Sequence, residues 1–197
     1  MVESTALLMR EDNNGITTLT LNRPDKFNAL SDELIAAMTD ALDAIRADDR
    51  VRVVIIKANG RAFCVGHDLK QLRENTDDDY ISTLFSRCGE MMQRIEALPQ
   101  PVIACVHAVA TAAGCQLAAA CDLAVASEKA KFAVSGITLG LFCSTPAVAL
   151  SRNIGRKAAM EMLLTGDFVD AETARQYGLI NRVVAPEALE GAVQELA

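Results

Sequence analysis

The alternation of apolar and polar positions divides the chain into short strands and amphipathic helices. Apolar, β-branched runs predict the strands, which are Leu7–Arg10, Ile16–Leu21, Val51–Lys57, Ala62–Val65, Val102–Val106, Leu123–Ala126, Phe132–Val134 and Ile180–Val184. Apolar residues three and four positions apart predict the helices, which are 32–45 behind a Ser31 cap, Asp77–Leu98, Thr145–Asn153, Arg156–Leu164, Asp170–Tyr177 and a last one opened by Pro186. Because strands and helices alternate, the pattern predicts a layered α/β fold.

One run of small residues stands out in this pattern, Ala110–Leu117. It is predicted to open a helix directly after the strand Val102–Val106. The free N–H groups and the positive end of such a helix face any ligand placed there. A carbonyl oxygen that becomes negatively charged during a reaction suits that environment. The polar residue one turn in is Gln116, whose amide neither gives nor takes a proton in acid–base chemistry.

Composition narrows the class of protein. A chain of 197 residues that is 51% apolar forms one sizeable core and is not disordered. The net charge of −7 argues against a nucleic-acid partner but leaves an anionic small molecule possible. No apolar run reaches the roughly 18 residues of a membrane helix, and the first five residues lack the basic region of a signal peptide. We therefore expect a cytoplasmic protein.

Cysteine and histidine usage argues against disulfides and metals. The six cysteines form no Cys-x-x-Cys pair and lie mostly in apolar segments, as reduced core thiols do. The two histidines, His67 and His107, are too few to suggest a zinc site. No metal is therefore expected.

The last helical pattern stops at Glu195–Ala197 without a glycine cap or a polar tail. This ending predicts a core domain over residues 1–184, followed over residues 185–197 by the start of a C-terminal helical region that is cut short.

Several phrases of the sequence resemble the crotonase superfamily, the enoyl-CoA hydratases and isomerases. Their order and spacing from about Ile16 to Val184 carry the resemblance, and they are Leu21–Leu30, Phe63–Leu69, Ala112–Leu117, Cys121–Leu123, Ala130–Phe132 and Leu139–Gly140. A closer likeness is to one subgroup of the superfamily. It rests on Gly66–Lys70, Ala110–Leu117 and Gly140–Pro146.

The resemblance implies a crotonase-like spiral of β-β-α repeats that binds an acyl-CoA thioester, with coenzyme A as part of the substrate and no other cofactor. It implies a homotrimer or a dimer of trimers, provided that C-terminal helices are present. It also implies an oxyanion hole, a pair of backbone N–H groups that carry over to His67 and Ala113. The residues expected near the CoA moiety are Arg23, Lys26, Ala29, His67, Asp68, Leu69 and Lys70.

The sequence departs from the family where protons are transferred. The hydratases of the family have two glutamates, and their positions carry over to Gln116 and Gly136. Because each acid–base group contributes about 10²–10⁴-fold to a rate, hydratase activity is expected to be weak, altered or absent. Cys143 is either a replacement nucleophile or a small wall residue. The side chain of His67 is a candidate base, but we expect it to point elsewhere, solvated or hydrogen-bonded.

Three functions remain open from the sequence. The first is an acyl-CoA enzyme of the lyase or isomerase class with non-standard acid–base chemistry. The second is a CoA-thioester-binding protein or assembly subunit without catalysis. The third is a hydrolase on the related scaffold, although the sequence contains no Gly-x-Ser-x-Gly nucleophile elbow.

Overall fold

A computed structural model describes residues 6–197. The expectation about a signal peptide rests on residues 1–5, which lie outside the described part. The strands are β1 Leu8–Asn13, β2 Ile16–Leu21, β3 Val53–Ala58, β4 Ala62–Cys64, β5 Val102–Val106, β6 Val109–Thr111, β7 Leu123–Ser127, β8 Lys131–Ala133, β9 Val169–Asp170 and β10 Arg182–Val184. The helices are α1 Asp32–Arg46, α2 Leu69–Glu74, α3 Asp78–Glu96, α4 Ala113–Ala120, α5 Ser144–Asn153, α6 Arg156–Thr165, α7 Ala171–Tyr177 and α8 Leu189–Leu196.

The strands are divided between two sheets. The six-stranded sheet has the order β1-β2-β3-β5-β7-β10 and the four-stranded sheet the order β4-β6-β8-β9. Each of the pairs β3/β4, β5/β6 and β7/β8 places its first strand in the larger sheet and its second in the smaller one, and helices follow. All neighbours are parallel except β1 with β2 and β8 with β9. The predicted α/β spiral of β-β-α repeats is confirmed.

Local sequence signals account for the first elements. β1 and β2 are joined by Asn14 and Gly15, whose φ angles of 50° and 84° fit the two-residue turn that matches strand twist. Ser31 caps α1 by accepting a hydrogen bond from the Leu34 N–H at 3.3 Å. The apolar face of α1 is then buried in the main core. These elements form as the hydrophobic pattern predicts.

The last helix, α8, packs on the opposite face of the larger sheet. Leu189 and Val193 are 3% and 2% exposed and contact a cluster that includes Ile103 and Val125. No helix within residues 6–197 has the length and apolar character needed to cross a membrane.

Two of the elements that differ from the sequence prediction shape the site. The helix expected directly after β5 begins only at Ala113, because Val109–Thr111 forms β6 and pairs with β4 and β8 of the smaller sheet. The short helix α2 was not predicted. Asp68 caps it by accepting hydrogen bonds from the N–H groups of Lys70 and Gln71 at 3.1 and 3.3 Å.

Candidate active site

The start of α4 lies directly against the end of β4. A Cβ atom added to Gly114 would overlap the carbonyl oxygen of Cys64, so only glycine permits this approach. Thr111 adds a side-chain hydrogen bond to the Val65 carbonyl at 3.1 Å. Gly114 is therefore needed for close contact between α4 and β4. The sequence suggested instead that the small residues leave room for a ligand.

This contact brings together two segments, each of which carries a backbone N–H group without an acceptor in the described chain. Leu30 donates to the Gly66 carbonyl at 2.8 Å and accepts from the Asp68 N–H at 3.0 Å, and the N–H of His67 between these bonds has no acceptor among residues 6–197. The N–H of Ala113 likewise has no acceptor among residues 6–197. A Cβ on Gly66 would lie 3.2 Å from the Ala113 nitrogen, so the two loops adjoin there. Buried donors of this kind normally have a partner, and a ligand oxygen can supply it.

Backbone strain marks the same point. Ala112 has φ 49° and ψ −122°, a conformation that L-residues rarely adopt, and it precedes the first residue of α4. Such strain costs about 1–3 kcal/mol and persists where the surroundings impose it. Ala113 itself is helical, so the strain lies at the residue before it, Ala112. This conformation sets the direction of the Ala113 N–H.

A cavity of about 220 Å³ lies at these N–H groups. Its wall is mostly apolar and carries no charged side chain among the described residues. The lining residues expected from the sequence are His67, Leu69, Ala113, Gly136 and Cys143. Leu141 and Phe142 also line the cavity, in the segment 139–142 that the resemblance places beside the acyl pocket. The walls formed by Leu72 and Phe85 were not predicted, because their helical pattern indicates only core packing.

Gln116 is buried one turn into α4, at 6% exposure, and is not among the residues that line the cavity. Its Oε1 has no hydrogen-bond partner within the described chain. Of the two positions where the family has glutamates, the structure therefore places Gly136 at the cavity wall and Gln116 outside the lining.

The side chain of His67 differs from expectation. It lines the cavity, with its ring centroid 4.5 Å from that of Phe85. Neither ring nitrogen contacts solvent or finds a hydrogen-bond partner in residues 6–197. Burial lowers the pKa of His67 to about 4 because the charged imidazolium is poorly solvated there. The expectation of a solvated or hydrogen-bonded ring pointing elsewhere is wrong, since the loop that frees its N–H also turns the ring inward.

Gly136 and Cys143 form the opposite wall. The Gly136 N–H donates to the Cys143 sulfur at 3.2 Å, and a Cβ on Gly136 would lie 2.5 Å from that sulfur. The thiol therefore occupies the space that any side chain at position 136 requires. Cys143 is 8% exposed and is the only one of the six cysteines that lines the cavity.

The other cysteines lie in the core. Burial raises the pKa of Cys64, Cys88 and Cys115 to about 12 and that of Cys105 to about 11, and it also raises the pKa of Cys121. Protonated thiols of this kind are unreactive, as expected for core residues. No group of three or more His, Cys, Asp or Glu side chains in the described chain is arranged to hold a metal ion.

The residues expected near CoA divide into two kinds. Arg23 is engaged within the protein, since it donates to Asp68 at 2.9 Å and to the carbonyl of the buried Ala29. Lys70 is exposed and pairs loosely with Glu74 at 3.6 Å. Lys26 is exposed on the turn that follows β2. The geometry suits Arg23 to positioning the Asp68 loop, and it leaves the lysines accessible to a phosphate.

The Arg23–Asp68 pair makes stability depend on pH. Burial raises the pKa of Asp68, but hydrogen bonds from Arg23 and from the α2 backbone outweigh it, so the pKa is lowered. The ionised carboxylate stabilises the fold above its unfolded pKa of about 3.9, and this contribution is lost as pH falls through the lower folded value. Asp68→Asn is expected to cost up to about 1 kcal/mol at neutral pH, because solvent still reaches and screens this partly buried pair.

Urea unfolding across pH measures this contribution. The difference between wild type and Asp68→Asn should shrink below about pH 4. Asp77→Asn is the matched control, because Asp77 also caps a helix by accepting N–H bonds, from Asp79 and Tyr80. An Asp68→Asn penalty that stays constant down to pH 2 contradicts this account.

Comparison with known proteins defines the class. The chain matches the sequence model of the enoyl-CoA hydratase/isomerase family over residues 11–197. Among solved structures, an enoyl-CoA hydratase from Mycobacterium smegmatis has 56% identity and a TM-score of 0.96, over 98% of this chain and 75% of that one. The chain therefore belongs to the enoyl-CoA hydratase/isomerase family.

Within the family, the predicted subgroup is that of enoyl-CoA hydratase domain-containing protein 3, and this prediction is confirmed. The mitochondrial protein of that name from Danio rerio is 45% identical over 99% of this chain and 68% of its own length. The Homo sapiens protein is 44% identical over 93% of this chain and 61% of its own length. A crystal structure of the human protein superimposes with a TM-score of 0.94 and 41% identity, over 97% of this chain and 76% of that one.

These relatives correct one expectation. They are named as mitochondrial proteins, so the expectation of a cytoplasmic protein is wrong. That expectation rested on the sequence of the first residues.

Proposed function

We propose that the chain binds an acyl-CoA thioester and holds its carbonyl oxygen between the N–H groups of His67 and Ala113. The observation that carries this proposal is the pair of unused backbone donors at an apolar cavity in a member of the enoyl-CoA hydratase/isomerase family. Two such donors stabilise the negative charge that develops on a thioester oxygen during enolate or addition chemistry. The exposed Lys26 and Lys70 are the cationic groups that we assign to the CoA phosphates.

The wall of the cavity indicates the kind of acyl group. Leucine, phenylalanine, valine and proline side chains form most of it, and no carboxylate or cation faces it within the described structure. A charged acyl terminus would be desolvated there without a partner, at a cost of several kcal/mol. We therefore assign an uncharged, apolar acyl chain.

The site lacks the two carboxylates with which the hydratases of the family transfer protons. The position equivalent to one family glutamate, Gly136, has no side chain, and Cys143 fills the space beside it. Gln116, at the other position, has an amide that is neither protonated nor deprotonated at neutral pH, so it does not serve as an acid or a base. We propose that hydratase turnover is weak, altered or absent. Two functions are compatible with this site, an enzyme with other chemistry and a non-catalytic binding subunit. Turnover of an acyl-CoA distinguishes them, because only the enzyme forms a product.

The binding proposal is tested by comparing butyryl-CoA with free CoA in calorimetric titrations. Burial of three further carbons is worth about 0.8 kcal/mol each, so butyryl-CoA should bind roughly thirtyfold to sixtyfold more tightly. Leu72→Trp fills the cavity and should abolish this preference. Leu164→Trp is the matched control, because Leu164 is 56% exposed on α6 and does not line the cavity. Equal affinity of the wild type for the two ligands contradicts the proposal.

The homotrimer or dimer of trimers stays a prediction. Its test is sedimentation of the full chain at micromolar concentration, where a monomer would contradict it.

A further inference from the structure

The Cys143 thiol faces the proposed acyl site, and the proton carriers of the family are replaced around it. The cavity and its N–H pair define the ligand site, so the question is what the thiol does there. Cys143 lines the cavity together with Ala113 and His67. The other five cysteines are absent from this wall. Among the described lining residues, Cys143 supplies a thiol and His67 an imidazole.

One hydrogen-bond donor acts on the sulfur, since the Gly136 N–H donates to it at 3.2 Å. Cys143 directly precedes α5, a ten-residue helix, but its side chain makes no capping hydrogen bond to that helix. A hydrogen bond donated to the sulfur favours its role as a nucleophile. Its surroundings therefore differ from those of Cys64 and Cys115, which are buried away from the cavity.

We propose that Cys143 accepts the acyl group from the bound CoA thioester and forms an acyl-enzyme. This inference rests on the proposed function, because it uses the same thioester and the same oxyanion hole. The Cys143 sulfur attacks the thioester carbonyl carbon, and the negative charge moves to the oxygen held by the His67 and Ala113 N–H groups. The carbon–sulfur bond to CoA then breaks. One thioester is exchanged for another, and CoA leaves as the free thiol.

The proton balance closes within the cavity. The thiol of Cys143 loses one proton, and the departing CoA sulfur gains one. The His67 ring lines the same cavity with neither nitrogen partnered inside residues 6–197, so it is free to carry that proton. Burial lowers the pKa of this ring to about 4, so the ring stays neutral at physiological pH and holds the proton only in passing from the thiol to the departing CoA sulfur. No oxidant, metal or further reactant is needed.

Mass spectrometry of the intact chain tests this step. After incubation with butyryl-CoA at neutral pH, we expect one butyryl group per chain, one equivalent of released CoA and the label on the peptide that contains Cys143. A saturated acyl group excludes addition of the thiol across a double bond. The label should be removed by hydroxylamine, as a thioester is.

Variants separate this role from a structural one. Cys143→Ser keeps an acceptor for the Gly136 N–H and should fold but lose the hydroxylamine-sensitive label. Cys105→Ala removes a thiol on the other side of the larger sheet and should keep it. Tight butyryl-CoA binding without any label, or label on another cysteine, overturns the inference and leaves the proposed function standing. Failure to bind butyryl-CoA overturns the proposed function and the inference with it.

Discussion

Replacing Gly114 with alanine should lower the free energy of unfolding by about 3 kcal/mol, the upper end of what over-packing costs. The added methyl group meets the carbonyl oxygen of Cys64, which belongs to the backbone of β4 and has no rotamer through which to yield. The start of α4 must therefore move away from the loop that holds His67. Urea denaturation of the purified variant measures the change, and butyryl-CoA affinity should fall with it.

Gly89→Ala is the matched control for this substitution. Gly89 lies inside α3, and nothing approaches within 4 Å of an added Cβ there. Alanine is the better helix former by about 1 kcal/mol, so this variant should be as stable as the wild type or more so. If the two glycine variants lose the same stability, close contact at Gly114 is not what the site depends on.

Crotonyl-CoA hydration should be slower by at least about 10²–10⁴-fold than with a family hydratase assayed in parallel. The expectation follows from the missing carboxylates at Gln116 and Gly136. The oxyanion hole alone retains part of the catalytic effect, and losses of groups that act together do not add. The disappearance of the enoyl absorbance measures the rate.

The Gln116→Ala variant decides what any residual turnover means. A rate well above background that this substitution abolishes would identify an enzyme with non-standard acid–base chemistry. A rate within about tenfold of the family hydratase would contradict the proposal of weak turnover. No turnover, together with tight butyryl-CoA binding, is the outcome expected of a binding protein.

Local signals in the sequence predicted the elements that depend on local interactions. The hairpin at Asn14 and Gly15, the Ser31 cap and the apolar stripe of α3 each follow from neighbouring residues alone. The inner strands β3, β5 and β7 of the larger sheet are apolar because they are covered on both faces, and that property is visible in the sequence. The order in which these strands pair is not visible in the sequence, because the pairing of distant strands is set by the tertiary fold.

The geometry of the site depends on contacts between distant segments, and these were beyond local reasoning. The approach of Gly114 to Cys64 explains the run of small residues, which by itself reads equally well as room for a ligand. The strain at Ala112 follows from β6, a strand of three residues without a distinctive pattern. The inward turn of His67 likewise depends on the pairing of its loop with Leu30. The family resemblance alone brought positions 67 and 113 together.

Two backbone N–H groups that bind the thioester oxygen weaken its carbonyl bond, and the vibration of that carbonyl reports the weakening. Isotope-edited infrared spectroscopy of butyryl-CoA labelled with ¹³C at the carbonyl isolates this stretch in the bound complex. Ala113→Pro removes one donor at a position where proline suits a helix start, and Ala112→Gly frees the preceding residue from strain. We expect the carbonyl of bound butyryl-CoA to absorb below its frequency in water. Part of this shift should be lost in the variant that carries both Ala112→Gly and Ala113→Pro, compared with the variant that carries Ala112→Gly alone. A bound carbonyl that absorbs at or above its frequency in water would contradict binding of the oxygen by these N–H groups.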